Sequence, residues 1–348
     1  TAIDQAASLN SGYRNDGNML PFCQSGGRDS KTLYNDIGAG TPGNPYVICT
    51  VAQFQDLGSS CGATSNGCSD NYLLRADLDF SGPVPLSPIG NVSNNFTGSF
   101  DGGSHKLKSL TISLPTTDYV GIFGYLGAAG YVHDLKVESL SIHGNGFVGG
   151  LAGRSYGQIE NIDATLGAST VMADANYAGG ITGQQFNHMT NIFSSVAVNG
   201  SSVGGITAIQ GGSGKILTNV HSSGTVTGTV YTAGLVGQLQ SSAQVRQSSF
   251  SGSVSGTSNV GGLVGATGAG SGILESFSTG TVNGNNSVGG LVGFSYNIST
   301  IQNSYSTSPV VAISGTAGGL VGSINIGSSA ILRNYAIGSV SGATAGGL

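Results

Sequence analysis

Residues 261–265 read Gly-Gly-Leu-Val-Gly, and the same five residues return at 289–293 and at 318–322. We call this five-residue motif the phrase, and looser copies of it precede these three. The aliphatic residue at its centre stands at positions 122, 151, 181, 206, 235, 263, 291, 320 and 348. The steps between these positions are 25 to 30 residues. A fixed period of this length is typical of stacked units, each of which buries its apolar face against its neighbours. The chain is therefore predicted to be a solenoid.

The repeat from Val288 to Gly315 has the residue pattern of short strands. Gly and Ser mark its corners, while small, β-branched and aromatic residues alternate along its sides, as they do in strands. Segments 288–293, 301–307 and 309–313 predict three strands per turn. No stretch keeps an apolar period of about 3.6 residues with good helix formers, which excludes helical repeats. The predicted fold is all-β, a parallel β-solenoid (β-helix) of about nine coils of about 28 residues each, stacked about 4.8 Å apart.

Two columns of equivalent residues follow from this register. The first is rich in amides, which can donate hydrogen bonds from each coil to the next. Its members are Asn161, Asn191, Asn219, Gln247, Glu275, Asn303 and Arg333. The second is aromatic and predicts a stack of rings: Phe193, His221, Phe250, Phe277, Tyr305 and Tyr335. Because both columns recur in nearly every coil, packing explains them better than a ligand-binding stripe does.

The chain is predicted to divide into an N-terminal cap, residues 1–85, and the solenoid, residues 86–348. A cap is expected because the open end of a solenoid is an exposed sheet edge. The last copy of the phrase breaks off at Leu348. We therefore expect either further coils in a longer parent chain or another copy of this chain stacked end to end, an arrangement that makes fibres.

Charge and hydropathy limit the classes of partner. Charged residues are 8% of the chain, and the net charge is −5. Without a basic patch, the sequence has no electrostatic signature of nucleic-acid binding. No apolar run approaches the roughly 18 residues of a membrane-spanning helix, and no signal peptide is recognised at Thr1.

Four cysteines lie in the predicted cap: Cys23, Cys49, Cys61 and Cys68. Their spacing does not match a zinc ribbon. Two disulfides, Cys61–Cys68 and Cys23–Cys49, are the preferred interpretation, with a metal site as the alternative. Because disulfides persist in oxidising compartments, the protein is predicted to be extracellular, secreted or at the cell surface.

Candidate catalytic residues lie just before the repeats. Glycoside hydrolysis needs two carboxyl groups about 5 to 9.5 Å apart. This lead-in contains Asp77, Asp79, Asp101, Asp118, Asp134 and Glu138, with His105 and His133 nearby in sequence. The alternative is that these residues occupy strand ends and turns, as the pair Asp101-Gly102 suggests.

The repeats themselves contain few candidate catalytic residues. Beyond Asp163 the acidic residues are Asp174 and Glu275, too few to line a catalytic cleft, and no nucleophile, zinc or phosphate-loop motif appears. No catalytic residue, cofactor or metal is therefore predicted, and the protein is expected not to be an enzyme. A carbohydrate-active enzyme or glycan-binding module around Asp77, Asp101 and Asp134 remains the alternative, and one Ca²⁺ site in the cap stays open.

One further surface pattern is regular. Four triplets have a central valine with Thr, Ser or Asn on either side, at 225–227, 253–255, 281–283 and 339–341. If the valine points inward, the polar residues face outward as an array. Such an array suits a regular ligand such as ice or a glycan, although solvated strand surface is the simpler explanation.

The repeats resemble the GLUG-motif family of bacterial exported proteins. The resemblance rests on Gly-Gly-Leu-Val-Gly followed by Ile-Gln-Asn-Ser-Tyr-Ser-Thr at 301–307, and on residues 273–282. The lead-in is similar to the segment that precedes such arrays, at 72–79, 88–90, 96–102 and 119–124. The resemblance covers about residues 46–348, and it departs from the family at Ser308-Pro309 and in the short coil 181–206.

This resemblance implies a surface or secreted β-solenoid stalk, of the kind found in adhesins and beside the protease domains of IgA-cleaving metallopeptidases. It implies no catalytic residues in the repeats. We therefore expect a structural, adhesive extracellular protein: the rigid shaft or subunit of a surface adhesin or fibre. Its candidate partners are copies of itself, its own longer parent chain, and host or bacterial surface glycans.

Overall fold

Four parallel sheets run along the chain and form a β-solenoid of about ten turns, about 28 residues apart. The computed structural model describes residues 33, 35, 38–82, 86–296, 299–325 and 330–347. The predicted all-β solenoid is confirmed. It has about ten turns where about nine were expected, because parallel pairing already begins in the lead-in.

The sheets are numbered 1 to 4. Sheet 1 contains β1 (Tyr46–Ile48), β2 (Asn71–Leu74), β3 (Leu78–Asp79), β4 (Ser99–Asp101), β5 (Lys106–Lys108), β8 (Tyr131–Glu138), β12 (Gln158–Leu166), β16 (Met189–Ser194), β20 (Ile216–Ser222), β24 (Gln244–Arg246), β25 (Ser249–Phe250), β29 (Gly272–Leu274), β30 (Phe277–Ser278), β34 (Thr300–Gln302), β35 (Tyr305–Ser306), β39 (Ala330–Leu332) and β40 (Tyr335–Ala336). Sheet 2 contains β6 (Thr111–Leu114), β9 (Ser141–Gly144), β13 (Thr170–Ala173), β17 (Ala197–Asn199), β21 (Thr225–Thr227), β26 (Ser253–Ser255), β31 (Thr281–Gly284), β36 (Val310–Ala312) and β41 (Val340–Ser341). Sheet 3 contains β10 (Phe147–Gly149), β14 (Tyr177–Gly179), β18 (Ser202–Gly204), β22 (Thr232–Ala233), β27 (Ser258–Gly261), β32 (Asn286–Gly289), β37 (Thr316–Gly318) and β42 (Thr344–Gly346). Sheet 4 contains β7 (Phe123–Leu126), β11 (Ala152–Ser155), β15 (Thr182–Gln185), β19 (Thr207–Gln210), β23 (Val236–Leu239), β28 (Val264–Thr267), β33 (Val292–Ser295) and β38 (Val321–Ile324).

Each turn of the repeats passes through sheets 3, 4, 1 and 2 in that order. Equivalent residues of successive turns lie side by side, as Val254 does with Val282. The central residues of the phrase therefore stack along the interior, where Leu235, Leu263 and Leu291 are fully buried. This continuous apolar column supplies the hydrophobic stabilisation that each turn lacks on its own.

The repeated phrase forms a corner, and the single strand predicted at 288–293 is wrong. Strand β32 ends at Gly289 and β33 begins at Val292. A Cβ atom on Gly289 would overlap the carbonyl oxygen of Val292 and lie 2.6 Å from the amide nitrogen of Gly322. Sheets 3 and 4 approach backbone to backbone at Gly289, which favours glycine there. The equivalent position of an earlier turn holds the small residue Ala233. Each turn therefore has four sides where three were predicted.

One helix, α1 (Val51–Thr64), lies between β1 and β2 and was not predicted. The Thr50 hydroxyl accepts a hydrogen bond from Gln53 N at 3.2 Å, and Gln53 Oε1 accepts one from Thr50 N at 3.1 Å. This reciprocal pair is a capping box. Phe54 and Leu57 form part of the buried face of α1. In the described part of the chain, no helix combines the length and the apolar character needed to cross a membrane.

An aromatic cluster joins α1 to the first turns. Phe100 is fully buried. Its ring centre lies 6.0 Å from that of Phe54, 6.5 Å from that of Tyr72 and 5.7 Å from that of Phe123. The Phe54 ring also lies 5.5 Å from that of Phe80, so Phe100 and Phe80 together anchor the helix to the first turns.

Parallel stacking begins upstream of the predicted boundary between residues 85 and 86. Tyr46 of β1 lies opposite Tyr72 of β2, which in turn lies opposite Phe100 of β4. Part of the segment 1–85 thus contributes strands to sheet 1. The division into cap and solenoid as separate domains stays a prediction.

The predicted disulfide between Cys61 and Cys68 is present, with Cα atoms 4.9 Å apart. It ties the end of α1 to the segment before β2. Cys49 is also disulfide-bonded. Cys23, its predicted partner, lies outside the described residues.

Replacing Cys61 and Cys68 together by alanine is expected to lower the free energy of unfolding by about 2 to 3 kcal/mol. The reason is that the disulfide closes a short loop and restricts the unfolded chain. Denaturant melts under non-reducing conditions measure the loss. Asn66→Ala, an exposed change within the same loop, is the control and should leave the midpoint unchanged. Equal stability of the double variant and the wild type would contradict the expectation.

Candidate functional site

The structure separates most of the candidate carboxylates of the lead-in. Asp77 Oδ1 lies 3.3 Å from His105 Nδ1, and Asp77 Oδ2 lies 3.7 Å from Lys108 Nζ. Glu138 Oε2 lies 3.1 Å from Lys106 Nζ. Burial raises the pKa of Asp77, but hydrogen bonds from Lys106 N and His105 and the neighbouring positive charges outweigh it, so that pKa lies below its ordinary value. Asp77 and Glu138 are thus held in surface ion pairs.

Two further candidates support local backbone and side-chain structure. Asp79 Oδ1 accepts a hydrogen bond from Ser81 N at 3.0 Å, which is a turn interaction. Asp118 Oδ1 accepts one from Asn145 Nδ2 at 3.2 Å. Neither carboxylate joins the cluster described next.

Asp101, His133 and Asp134 come together on the outside of sheet 1. Asp101 of β4 lies opposite His133 of β8 in the pairing of neighbouring turns. Asp134 follows His133 and has a left-handed backbone, φ 54°. His133 Nδ1 lies 2.7 Å from Asp134 Oδ2 and 3.8 Å from Asp101 Oδ1. One nitrogen and two carboxylate oxygens therefore converge, all within 4.8 Å of one another.

Two residues that the sequence analysis did not single out complete this cluster. The Tyr131 ring stacks on His133 with centres 4.3 Å apart, and its hydroxyl donates a hydrogen bond to Glu160 Oε2 at 2.7 Å. Glu160 lies opposite His133 on the next turn. Burial, the hydrogen bond to Glu160 and the charges of Glu160, Asp134 and Asp101 all raise the pKa of Tyr131. Three carboxylates, those of Asp101, Asp134 and Glu160, thus lie around the stacked rings of Tyr131 and His133.

Asp134 is also the first rung of the predicted amide column. Asp134 Oδ1 accepts a hydrogen bond from Asn161 Nδ2 at 2.9 Å, Asn161 Oδ1 accepts one from Asn191 at 2.8 Å, and Asn191 Oδ1 accepts one from Asn219 at 2.8 Å. The column is therefore confirmed. Asp134 was missed in it, although it stands one repeat before Asn161.

A backbone requirement explains the composition of this column. Every rung has a left-handed backbone, with φ between 50° and 56°: Asp134, Asn161, Asn191, Asn219, Gln247, Glu275, Asn303 and Arg333. Asn and Asp adopt this conformation more readily than other residues with a Cβ. The later rungs also pair, as Gln247 donates to Glu275 at 3.1 Å and Arg333 to Asn303 at 2.8 Å. The column is a structural corner with bonded side chains.

The aromatic column is confirmed apart from one residue. Rings stack from Phe193 to His221, with centres 5.1 Å apart, and from Phe277 through Tyr305 to Tyr335, at 4.9 and 5.0 Å. Phe250 does not belong to it, because Ser249 occupies that position in the strand pairing. Phe250 is instead fully buried. The outward position is two residues after each left-handed corner, whereas Phe250 is three residues after its corner.

A shallow groove of about 310 Å³ lies beside the cluster. Asp134, Lys136, Asn161, Asp163 and Phe193 are among the residues that line it. Phe193 is 41% exposed. The groove thus offers a carboxylate, an ammonium group, an amide and an aromatic edge within one small depression.

The valine-centred triplets face the way that the pattern predicts. In β21, Val226 is buried while Thr225 and Thr227 are exposed. The alternation continues in β36, where Val310 takes the buried position opposite Val282, but the outward position opposite Asn283 is held by the apolar Val311. The outward polar residues therefore do not form an unbroken array along sheet 2.

Residues 284–311 match the model of the GLUG motif, which confirms the family resemblance at that repeat. Halomucin of Haloquadratum walsbyi is 35% identical over 175 residues, 47% of this chain and 2% of that protein. A protein of Evansella cellulosilytica described as "Putative Gly-rich membrane protein" is 32% identical over 134 residues, 37% of this chain and 15% of that protein. The chain therefore spans only a small part of the length of these relatives.

Among solved structures, the chain is similar to one described as "a putative immunoglobulin A1 protease" from Bacteroides ovatus. The TM-score is 0.43 and the identity 18%, over 89% of this chain and 86% of that one.

Proposed function

We propose that this GLUG-motif β-solenoid is a rigid segment of an extracellular surface protein, a shaft that spaces other parts of a larger assembly. The observation behind this proposal is the parallel pairing of each turn with the next through all four sheets, with one local register shift between β12 and β8 at Asp163 and Leu166. A stack held by backbone ladders, one apolar column and bonded side-chain columns resists bending. Ten turns about 4.8 Å apart give a rod of about 48 Å.

The relatives support this role. The segments matched in halomucin and in the Gly-rich membrane protein are small parts of much longer chains, as expected for a repeated spacer. The disulfides favour an oxidising, extracellular location. Within the proposal, adhesion itself belongs to other parts of the assembly or to surface sites such as the groove beside Phe193.

A deletion experiment tests the shaft. Removing residues 264–291 deletes one whole repeat and joins Leu263 to Val292, which restores the phrase. The deleted protein should fold and be shorter by about 5 Å, one strand spacing. Small-angle X-ray scattering of the full chain and of the deletion measures both lengths.

Removing residues 264–277, half a repeat, is the matched control. It breaks the pairing of every later turn with the earlier ones, so it should lose β-structure by circular dichroism. A whole-repeat deletion that unfolds as completely as the half-repeat deletion would argue against modular stacking. Scattering from a compact sphere would argue against the shaft.

A carbohydrate-active enzyme is the second candidate, because Asp101 and Asp134 converge, with carboxylate oxygens within 4.8 Å, just short of the spacing of about 5 Å that a retaining pair has. Glycoside hydrolysis pairs an ionised carboxylate with a carboxylic acid of raised pKa. Burial raises the pKa of Asp134, but hydrogen bonds from His133 and Asn161 and the His133 charge together lower it by more. The pKa of Asp134 therefore lies below its ordinary value. Asp134 would therefore serve as the ionised member. Release of reducing ends from a polysaccharide panel, lost in Asp134→Asn, would favour this candidate over the shaft alone.

A further inference from the structure

The cluster of Asp101, His133 and Asp134 contains the ligand types that first-row divalent metal ions prefer, an imidazole nitrogen and carboxylate oxygens. We propose that it binds one such ion, with Zn²⁺ as the best match. Ligand atoms around a tetrahedral zinc ion lie about 3.3 Å apart. The distances of 2.7 Å and 3.8 Å from His133 Nδ1 to the two carboxylates lie on either side of this value. Small side-chain rotations would equalise them, and water completes the coordination.

Both proposed aspartate ligands are already held in place by a neighbouring group. Asp134 Oδ1 is engaged by Asn161 at 2.9 Å, which leaves Oδ2 directed at His133. Asp101 Oδ1 accepts a hydrogen bond from Gly103 N at 2.8 Å. Such outer contacts orient ligands and strengthen metal binding.

Charge also favours a cation at this place. Asp101 and Asp134 both form their ion pairs with His133, and Glu160 adds a third carboxylate through Tyr131. Asp77, by contrast, has the ammonium group of Lys108 in direct contact as well as His105, and that group would repel a metal ion. Lys136 lines the groove beside Asp134, but among the described residues Asp101 and Asp134 form their ion pairs with His133. The His133 side chain is 17% exposed and the two aspartates about 40%, so an ion can reach the site.

The ion would join successive turns, since Asp101 lies on β4 and the other two ligands lie on β8. A control exists in the same chain. His143 Nε2 lies 2.9 Å from Asp174 Oδ2, with similar exposure but with one carboxylate. One nitrogen and one oxygen hold a divalent ion far more weakly than the three-ligand set.

The test is calorimetric titration of the full chain with zinc chloride. We expect one saturable site, and an increase in melting temperature with zinc because the ion binds the folded form. Asp101→Asn keeps an oxygen that can accept from Gly103 N, so it should fold, yet it should weaken zinc binding at least about tenfold. Asp174→Asn should leave the affinity unchanged.

A second readout locates the ion directly. On zinc addition, the imidazole resonances of His133 should shift in NMR spectra, whereas those of His143 should not. The proposal is overturned if the wild type shows no saturable binding, if Asp101→Asn binds as tightly as wild type, or if Asp174→Asn loses binding instead.

Discussion

Replacing Gly289 by alanine is expected to lower the free energy of unfolding by about 1 to 3 kcal/mol, the usual range for overpacking, even though the equivalent position of an earlier turn holds Ala233. The added Cβ would overlap the carbonyl oxygen of Val292 and lie 2.6 Å from Gly322 N. Both contacts are with backbone, which cannot rotate away as a side chain would. The corner must therefore open, and opening it separates sheets 3 and 4 in the middle of the stack. Denaturant melts followed by circular dichroism measure the loss.

Gly43→Ala is the matched control for this substitution. A Cβ on Gly43 would meet nothing within 4 Å, so the change alters the entropy of the unfolded chain without a clash. It should leave stability unchanged or raise it by up to about 1 kcal/mol. If Gly289→Ala and Gly43→Ala have equal midpoints, backbone contact is not the reason for glycine in the phrase.

Replacing Phe100 by alanine is expected to cost about 4 kcal/mol, as for other large buried aromatic residues. The ring is fully buried and contacts rings from α1 and from neighbouring turns, those of Phe54, Tyr72 and Phe123. A cavity there loosens the helix and the first turns together. Thermal and denaturant melts measure the total loss, and hydrogen exchange should show faster exchange of the α1 amides.

Phe193→Ala is the control for ring removal. Phe193 is 41% exposed and stacks on His221, so its loss should cost about 1 kcal/mol or less. Similar losses for Phe100→Ala and Phe193→Ala would mean that the internal cluster does not anchor α1.

The repeat period could be read from the sequence because each turn buries the same types of residue at the same positions. Leu263 and Leu291 stand at the same place in successive turns and meet the same neighbours. The same period predicted the amide column, and it would have extended that column back to Asp134. The ring of Phe250 was misplaced because a one-residue shift in a strand moves a side chain to the other face.

The helix α1 was not recognised although its signals are present. Thr50 and Gln53 form the capping box, and Phe54 and Leu57 fit one apolar helix face. The helix lies within the segment treated as a cap, outside the repeats, and it is a single copy. A feature without repetition lacks the evidence that several equivalent turns provide for each strand.

The sequence by itself determined the solenoid, its period and its columns, because short-range sterics and side-chain alternation act identically in every turn. Only the tertiary structure decided that the phrase is a corner, since a Cβ on Gly289 would meet Gly322 N of the next turn as well as Val292 O of its own phrase. It likewise decided which acids meet. Asp101 and His133 are far apart in sequence and become neighbours when β4 pairs with β8, whereas Asp77 is drawn to His105 and Lys108. Contacts between turns depend on exact register and on side-chain direction, and neither is a local property of the chain.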